Sequence, residues 1–374
     1  MRCFGLCNVS ALLRTDRLKS LPHTKTQPAT QFLKSVLLAA GLMWICTTAS
    51  SGEPPGKWWK RFADIPRPVF GATTVVLNTK IHVLGGSQSD AHQVFDPAKN
   101  TWELKAPLPH AEGIGWGMAA PFKAKIYFFG GGYGKTWRGD DRAFVYDPAT
   151  DKWSPIAPMP IRRMQGAAVA TKEAIYIIGG HQGTQQISRE EEIKTTYKYD
   201  SVKDTYTKVA DMPESGIFIV FSYYKGNIYV IPGVERTVKN PTDAGQGYVW
   251  ADGLMKYNPA KDFWTKLDVP RPFRNAWAVT QQSSHVALGP KLFLAGGATP
   301  PDRRRTDFVA YFDMDQGKFF EVGRLPRVRC CAGGGVVNGK LYIVGGFYNE
   351  TGDPCPETWG YPFSESASCC TSAQ

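Results

Sequence analysis

The sequence has no long apolar run, no dense basic tract and no cysteine pair at zinc-binding spacing with a matching second pair. Its apolar stretch at residues 36–48 is too short for a bilayer, which needs about 20 apolar residues, so we expect no stable membrane span. The net charge is +11, but the Lys and Arg residues are not clustered as nucleic-acid binding requires. We therefore expect no nucleic-acid partner, no metal and no cofactor.

Cysteine is scarce in residues 50–374. This part of the chain contains five: Cys330, Cys331, Cys355, Cys369 and Cys370. The number is odd, so at least one thiol stays outside any intramolecular disulfide. In an oxidising compartment Cys355 could bond with Cys369 or Cys370, and the pairing is left open. Small buried side chains are the first interpretation of Cys330 and Cys331, and a reactive or ligand-contacting thiol is the second.

Residues 1–49 have the features of an export leader. An apolar run, Val36–Ile45, follows Lys34, and the small residues Thr47 and Ala49 predict cleavage after Ala49. The 35 preceding residues are long for a signal peptide, so a downstream start and a two-part organelle leader are alternatives. We predict a secreted or periplasmic protein, or one in an organelle lumen, with a leader (1–49), a folded domain (50–365) and a Cys-containing tail (366–374).

Internal repeats dominate the remaining sequence. A strand that ends in a glycine pair or its variant occurs six times, at Ile81–Gly86, Ile126–Gly131, Ile175–Gly180, Ile228–Gly233, Leu292–Gly297 and Leu341–Gly346. Two strands joined by an Asp-Pro-type turn follow five of these, at Val94–Trp102, Val145–Trp153, Lys198–Tyr206, Lys256–Trp264 and Tyr311–Phe319. A proline-terminated link and a strand of small residues complete each unit. Four strands per unit predict an all-β propeller, in which strands a to d of each blade follow one another from the central axis outwards.

The order of glycine pair, tyrosine and tryptophan across residues 58–346 resembles the kelch family. The resemblance implies a six-bladed kelch β-propeller. Departures are Pro232 at the glycine pair of blade 4, and Tyr206 and Phe319 in place of tryptophan. Residues 58–66 look like an outer strand without a blade, and residues 357–363 look like strand c of blade 6. We therefore expect the N-terminal strand to close the ring by pairing with the last blade.

The b–c loops and d–a links of a blade share one face, because its strands alternate in direction. The b–c loops vary most in length, and the d–a links carry charged residues after the proline, so we predict the ligand site on this face. The candidate residues are Arg67, His110, Glu112, Trp116, Arg163, Glu214, Arg271, Arg274, Trp277, Arg305, Arg327 and Arg329. Arginine matches carboxylate or sulfate groups, which favours an anionic ligand such as an acidic sugar. The alternative is that these arginines bridge neighbouring blades.

Two enzyme groups within the kelch family bear on catalysis. Residues Arg305–Asp307 are similar to a loop in bacterial sialic acid mutarotases, but Thr299 stands near the place of the glutamate that those enzymes carry upstream. Oxidases of the galactose oxidase kind need a copper site of tyrosines and histidines and a tyrosine–cysteine cross-link. The histidines here are scattered and every body cysteine lies in or after blade 6, so we expect no copper site.

Three classes of function remain open. The first is an exported monomer that binds a glycan or protein ligand through the b–c/d–a face. The second is an enzyme that acts on an acidic sugar with Glu112, Glu214 or Glu235 as acid or base. The third, an intracellular scaffold, requires that residues 1–49 are not a leader.

Overall fold

A computed structural model describes residues 57–86, 89–133, 138–183, 193–217, 219–236, 248–250, 253–269, 286–299, 304–348 and 353–363. The leader, the tail and Arg271, Arg274 and Trp277 lie outside the described residues. So does the b–c loop of blade 4 between residues 236 and 248. The described residues belong to one compact unit, Glu53–Gln374.

Six four-stranded antiparallel sheets follow one another along the described chain. Blade 1 contains β2 (Thr73–Leu77), β3 (Lys80–Leu84), β4 (His92–Asp96) and β5 (Thr101–Lys105). Blade 2 contains β6 (Met118–Phe122), β7 (Lys125–Phe129), β10 (Ala143–Asp147) and β11 (Lys152–Ile156), with a small b–c hairpin of β8 (Gly132–Tyr133) and β9 (Arg138–Gly139). Blade 3 contains β12 (Ala167–Ala170), β13 (Ile175–Ile178), β14 (Thr196–Asp200) and β15 (Thr205–Val209).

The second half of the ring repeats this order. Blade 4 contains β16 (Val220–Tyr224), β17 (Asn227–Ile231), β20 (Leu254–Asn258) and β21 (Phe263–Leu267), with β18 (Val234–Arg236) and β19 (Tyr248–Trp250) between them. Blade 5 contains β22 (Ala287–Leu288), β23 (Lys291–Ala295), β26 (Phe308–Asp313) and β27 (Lys318–Arg324), with β24 (Ala298–Thr299) and β25 (Arg304–Arg305). Blade 6 contains β28 (Gly333–Val337), β29 (Lys340–Val344), β30 (Thr358–Pro362) and β1 (Lys60–Phe62).

The ring closes as the sequence predicts. β1 is the outermost strand of blade 6 and pairs antiparallel with β30, with Lys60 opposite Gly360 and Phe62 opposite Thr358. The inner strand of blade 1 contacts those of blades 2 and 6, so consecutive blades surround one axis. The prediction of an all-β, six-bladed propeller closed by its N-terminal strand is confirmed.

The glycine pairs are needed because the d–a link that follows each blade passes against their backbone. Gly85 and Gly130 have φ angles of 66° and 56°. A Cβ atom on Gly85 would lie 2.1 Å from the carbonyl oxygen of Ile114, and one on Gly130 would lie 2.3 Å from that of Arg163. Gly345 has the same relationship to Val69, across the closure between blades 6 and 1. Only glycine combines this backbone conformation with so close an approach.

In blades 2, 3 and 4 the aromatic side chain of the c–d hairpin donates a hydrogen bond to the preceding blade. The indole N–H of Trp153 donates to the carbonyl oxygen of Ala106 at 2.9 Å, and Trp264 donates to Ala210 at 3.0 Å. Tyr206, which replaces tryptophan in blade 3, donates its hydroxyl to the equivalent Ala157 at 2.8 Å. The replacement therefore keeps the inter-blade hydrogen bond, and the repeat pattern reflects packing between blades.

Candidate functional site

A polar pocket lies at blade 2 on the predicted b–c/d–a face, between the two d–a links that flank this blade. Its volume is about 560 Å³. The d–a links contribute His110, Ala111, Glu112 and Arg162, and the b–c loop of blade 2 contributes Arg138, Gly139, Asp140, Asp141 and Arg142. A pocket of this size fits a small ligand of one or two sugar rings.

A fixed triad forms the buried part of the pocket. Nε2 of His110 lies 2.9 Å from Oδ2 of Asp140, and Arg142 approaches the same carboxylate oxygen at 2.8 Å. The backbone holds Asp140 in place, since its N–H donates to Gly131 and its carbonyl oxygen accepts from Arg163. Burial alone would raise the pKa of Asp140, but the hydrogen bonds from His110 and Arg142 outweigh it and hold this pKa well below its usual range.

The rim of the pocket carries charged groups of both signs. Glu112 and Arg138 are exposed, and Asp141 and Arg162 are half-buried. Among the described residues, no ion pair or side-chain hydrogen bond engages any of these four. Two guanidinium groups and two carboxylates are therefore available to a ligand, as donors and acceptors respectively.

Arg162 and Arg163 are adjacent in the chain but lie in different surroundings. Arg163 is fully buried, and its guanidinium donates to the carbonyl oxygens of Gly179 and Thr195 and to the Thr195 hydroxyl, at 3.0–3.2 Å. Burial lowers its pKa to about 10, which leaves it charged at neutral pH. Its backbone bonds to Gly131 and Asp140 of blade 2. Arg163 thus bridges blades 2 and 3, while the adjacent Arg162 lines the pocket.

Arg329 repeats this arrangement in blade 6. It is buried, donates to the carbonyl oxygen of Gly345 at 2.8 Å and forms an ion pair with Glu357. Its backbone bonds to Gly297 and Thr306 of blade 5. Arg163 and Arg329 therefore have the contacts of inter-blade bridges, which is the alternative left open by the sequence.

A second group of predicted residues lies around the start of the inner strands. The axial cluster consists of the packed side chains of Phe70, Trp116, Met164, Cys330, Cys331 and Phe347. The guanidinium of Arg305 lies over the ring of Phe347 at 4.6 Å from its centre, and that of Arg327 lies over Tyr348 at 4.3 Å. These cation–π contacts place two predicted arginines beside aromatic surface.

The remaining described candidates are apart from both groups. Arg67 is exposed, and its backbone N–H and carbonyl pair with the Gln93 amide, each at 2.8 Å. Glu214 pairs with Lys266 of its own blade at 2.5 Å. The structure therefore brings together His110 and Glu112 in the pocket, and Trp116, Arg305 and Arg327 at or beside the axial cluster. Ligand binding by any of them stays a prediction.

Sequence reasoning missed the contribution of blade 2. The run from Arg138 to Arg142 stands directly before strand c and contains four charged residues. That charged run was the sequence feature from which the contribution of blade 2 could have been predicted.

The expectation that the protein binds no metal stays a prediction. The described residues contain no group of three or more His, Cys, Asp or Glu side chains placed to hold a metal.

Comparison with known proteins identifies the repeat. A sequence model of the kelch motif matches residues 122–160, 162–213 and 329–359, which fall in blades 2, 3 and 6. The chain is a kelch-repeat β-propeller. The solved structure of YjhT aligns with it at a TM-score of 0.62 and 16% identity, covering 79% of this kelch chain and 95% of that one. At this identity the likeness shows the fold alone.

Relatives with the same repeat are similar over different lengths. The Kelch-like protein terF of Aspergillus terreus is 24% identical over 372 residues, which cover 92% of this chain and 76% of that protein. Kelch-like protein 25 of Xenopus tropicalis is 24% identical and covers 74% of this chain, but only 45% of that protein is matched. Kelch-like protein 23 of Homo sapiens is 30% identical over 44% of this chain and 28% of that protein. The chain thus spans less than half of the latter two relatives.

No helix among the described residues is long and apolar enough to cross a membrane.

Proposed function

We propose that this kelch propeller binds a small acidic sugar in the pocket at blade 2. The observation that carries the proposal is the pair of guanidinium groups of Arg138 and Arg162, which line the pocket without a partner among the described residues. Guanidinium forms paired hydrogen bonds with a carboxylate. Glu112 and Asp141 supply acceptors for hydroxyl groups, which a sugar has in number.

The buried triad supports this function by fixing the pocket before the ligand arrives. His110 and Arg142 both contact the carboxylate of Asp140 before any ligand is bound, so ligand binding does not have to order them. Arg142 keeps an exposed side chain next to the rim, with 47% of its surface accessible. A ligand would therefore contact groups that give up bound water but break no hydrogen bond within the protein.

A glycan array that contains acidic and neutral sugars tests the proposal on the purified protein. We expect binding to carboxylate-bearing sugars and not to their neutral analogues. Arg138→Gln and Arg162→Gln should each weaken binding by roughly 10- to 100-fold, because a charge-assisted hydrogen bond contributes about 1.5–3 kcal/mol. Arg324→Gln is the matched control, since Arg324 is an exposed arginine paired with Asp307 in blade 5. If all three folded variants bind the sugar with equal affinity, the pocket is not the ligand site.

An enzyme acting on the same class of sugar is the second candidate. The carboxylates of Glu112 and Asp141 lie on one pocket with the His110–Asp140 pair, and this is an arrangement that proton transfer needs. NMR of a bound sugar separates the candidates. Faster exchange between anomers in the presence of the protein, lost in Glu112→Gln, supports the enzyme, whereas unchanged exchange rates support a binding protein.

The proposal includes export and the domain limits predicted from the sequence. With residues 1–49 present, we expect the protein outside the cytosol with a new N-terminus near Ser50. Cell fractionation followed by N-terminal sequencing checks this. An uncut chain in the cytosol would favour the scaffold class instead. A glycan as partner and a monomeric state belong to the same proposal, and size-exclusion chromatography with light scattering tests the latter.

A further inference from the structure

Adjacent cysteines lie at the end of the d–a link that enters blade 6. The Sγ atoms of Cys330 and Cys331 are 3.2 Å apart, and neither is in a disulfide. Cys330 is half-buried, whereas Cys331 is buried at 7% exposure within the axial cluster. Cys330 thus keeps part of its surface open to solvent, and the buried Cys331 contacts its sulfur.

The backbone around the pair is held on both sides. The N–H and carbonyl groups of Cys330 exchange hydrogen bonds with those of Phe347, both at 3.0 Å. The carbonyl oxygen of Cys331 accepts from Gly71 of blade 1 at 3.0 Å. These bonds fix the link on which both sulfurs sit, so their contact does not depend on a mobile segment.

Cys331 also has a backbone conformation that side-chain-bearing residues seldom adopt. Its φ angle is 58°, and the equivalent residues in blades 1, 2 and 3 are Gly71, Trp116 and Gln165, with φ of 64°, 61° and 60°. A bond series continues through them, since Trp116 donates to Gly71 and Gln165 donates to Trp116. The strained conformation belongs to the shared inner turn, and blade 6 has cysteine where blade 1 has glycine.

We propose that Cys330 and Cys331 form a reversible dithiol–disulfide site that reacts with low-molecular-weight disulfides. The Cys330 thiolate attacks one sulfur of the small disulfide, so a mixed disulfide forms and one small thiolate leaves. The Cys331 thiolate then attacks the Cys330 sulfur, which forms the Cys330–Cys331 bond and releases the second small thiolate. The two protons lost by the cysteines are taken up by the two leaving thiolates. Two protein thiols are oxidised and one small disulfide is reduced.

The order of attack follows from exposure. Cys330 reacts first because a small disulfide can reach it, and Cys331 acts as the resolving thiol because it contacts Cys330 and little solvent. Cys355 is the internal comparison. It is buried at 1% exposure, its thiol faces the carbonyl oxygen of Gly345 at 3.1 Å, and burial raises its pKa. We expect Cys355 to be unreactive under the same conditions.

Peptide mass mapping after treatment with oxidised glutathione tests the proposal on the folded protein. Trypsin releases residues 330–340, in which Cys330 and Cys331 are the only cysteines. We expect this peptide to lose two hydrogen atoms, about 2 Da, to resist iodoacetamide, and to become alkylated twice after reduction. The same digest releases residues 341–374, which contain Cys355, Cys369 and Cys370. Fragmentation of this peptide assigns the state of each cysteine, and Cys355, which should keep an unmodified thiol, is the control within each digest.

Two variants identify the steps. Cys331→Ser should stop at a glutathione adduct on residue 330, and Cys330→Ser should leave residue 331 largely unmodified. A peptide 330–340 that stays fully alkylatable, or that carries stable glutathione adducts in the unaltered protein, would overturn the proposal. The mapping of the unaltered protein decides the question even where a variant does not fold.

Discussion

Tyr146 donates a 2.7 Å hydrogen bond to Asp151, and the same carboxylate oxygen accepts the N–H of Ala106 at 3.0 Å. Ala106 follows the outer strand of blade 1, so the c–d turn of blade 2 holds the preceding blade. Tyr199 and Asp204 repeat the relationship in blade 3, and Tyr257 and Asp262 repeat it in blade 4. Blade 1 uses Asn100 instead, which accepts the N–H of Ala63 at 2.7 Å.

Replacing Asp151 should weaken the contact between blades 1 and 2. We expect Asp151→Ala to lower the free energy of unfolding by about 1–2 kcal/mol, since two hydrogen bonds are lost and alanine is strained at a φ of 52°. Chemical denaturation measures the loss. Asp151→Asn is the matched control because blade 1 already uses asparagine at this position, and a loss as large as that of alanine would contradict the assignment.

This relationship shows what the sequence can predict. In the Tyr-Asp-Pro…Asp…Trp pattern, the first Asp bonds to the turn of its own blade, whereas the second Asp and the Trp bond to the preceding blade. Every blade needs these contacts, so the pattern predicts the blades, their number and their closure. The pocket has no such repetition. Arg138 and Asp140 occur in one blade alone, and which of Arg162 and Arg163 lines the pocket depends on the course of a link with no regular periodicity. Of the residues predicted on the b–c/d–a face, His110 and Glu112 lie in the pocket, whereas the loop opposite them was not predicted.

Two buried histidines should make stability depend on pH. Nδ1 of His82 lies 2.9 Å from Nε2 of His92, between strands b and c of blade 1, with the rings of Tyr146 and Trp153 of blade 2 around them. Burial, followed by nearby charges including Lys80 for His82 and Lys105 for both, lowers their pKa values to about 4 for His82 and about 3 for His92. The charge of Asp151 opposes this shift at His92.

The direction of the pH effect follows from linkage. Between pH 6.5 and 4 the unfolded chain protonates both histidines and the folded chain does not. The contribution of the pair to the free energy of unfolding is therefore fully present above pH 6.5 and is lost as the pH decreases. Urea denaturation at pH 7 and pH 5 should show a loss that is much smaller in a His82→Gln/His92→Gln double variant. Carboxylates with lowered pKa values contribute mainly below about pH 4, so they do not obscure this window. If the free energy of unfolding falls equally in both proteins between pH 7 and pH 5, the two histidines are not a buried neutral pair.

Neighbouring arginines should behave in opposite ways. Arg163→Ala and Arg329→Ala each leave buried carbonyl oxygens without a donor, and Arg329→Ala also leaves Glu357 without its buried partner. We expect losses of about 3–5 kcal/mol in unfolding free energy. Arg162→Ala and Arg327→Ala, at exposed or half-buried positions two residues or fewer away, should change stability by about 0.5 kcal/mol or less.

Melting temperature and ligand affinity, measured on all four variants, separate the two roles. If Arg163→Ala weakens ligand binding and leaves the melting temperature unchanged, the bridging role is wrong and the original ligand assignment returns. If Arg162→Ala lowers the melting temperature as much as Arg163→Ala, the division between pocket and bridge fails.

Removing residues 50–62 should open the propeller between blades 6 and 1. β1 would be lost, so the edge of β30 from Thr358 to Gly360 would have no partner. The ring of Phe62, which packs against Phe95 at 5.9 Å and Tyr342 at 5.3 Å between centres, would be lost as well. Asn100 and Trp102, which bond the N–H and carbonyl groups of Ala63, would hold a chain end and no longer a strand.

We expect this deletion to lower the melting temperature of the entire ring and to increase aggregation, because the unpaired strand edge can pair with another molecule. A shorter deletion, of residues 50–56, keeps β1 and is the control. Phe62→Ala tests the packing contribution alone and should cost about 2–4 kcal/mol less than the deletion if strand pairing carries most of the closure. Calorimetry compares the three proteins, and equal melting of the long and short deletions would show that β1 does not close the ring.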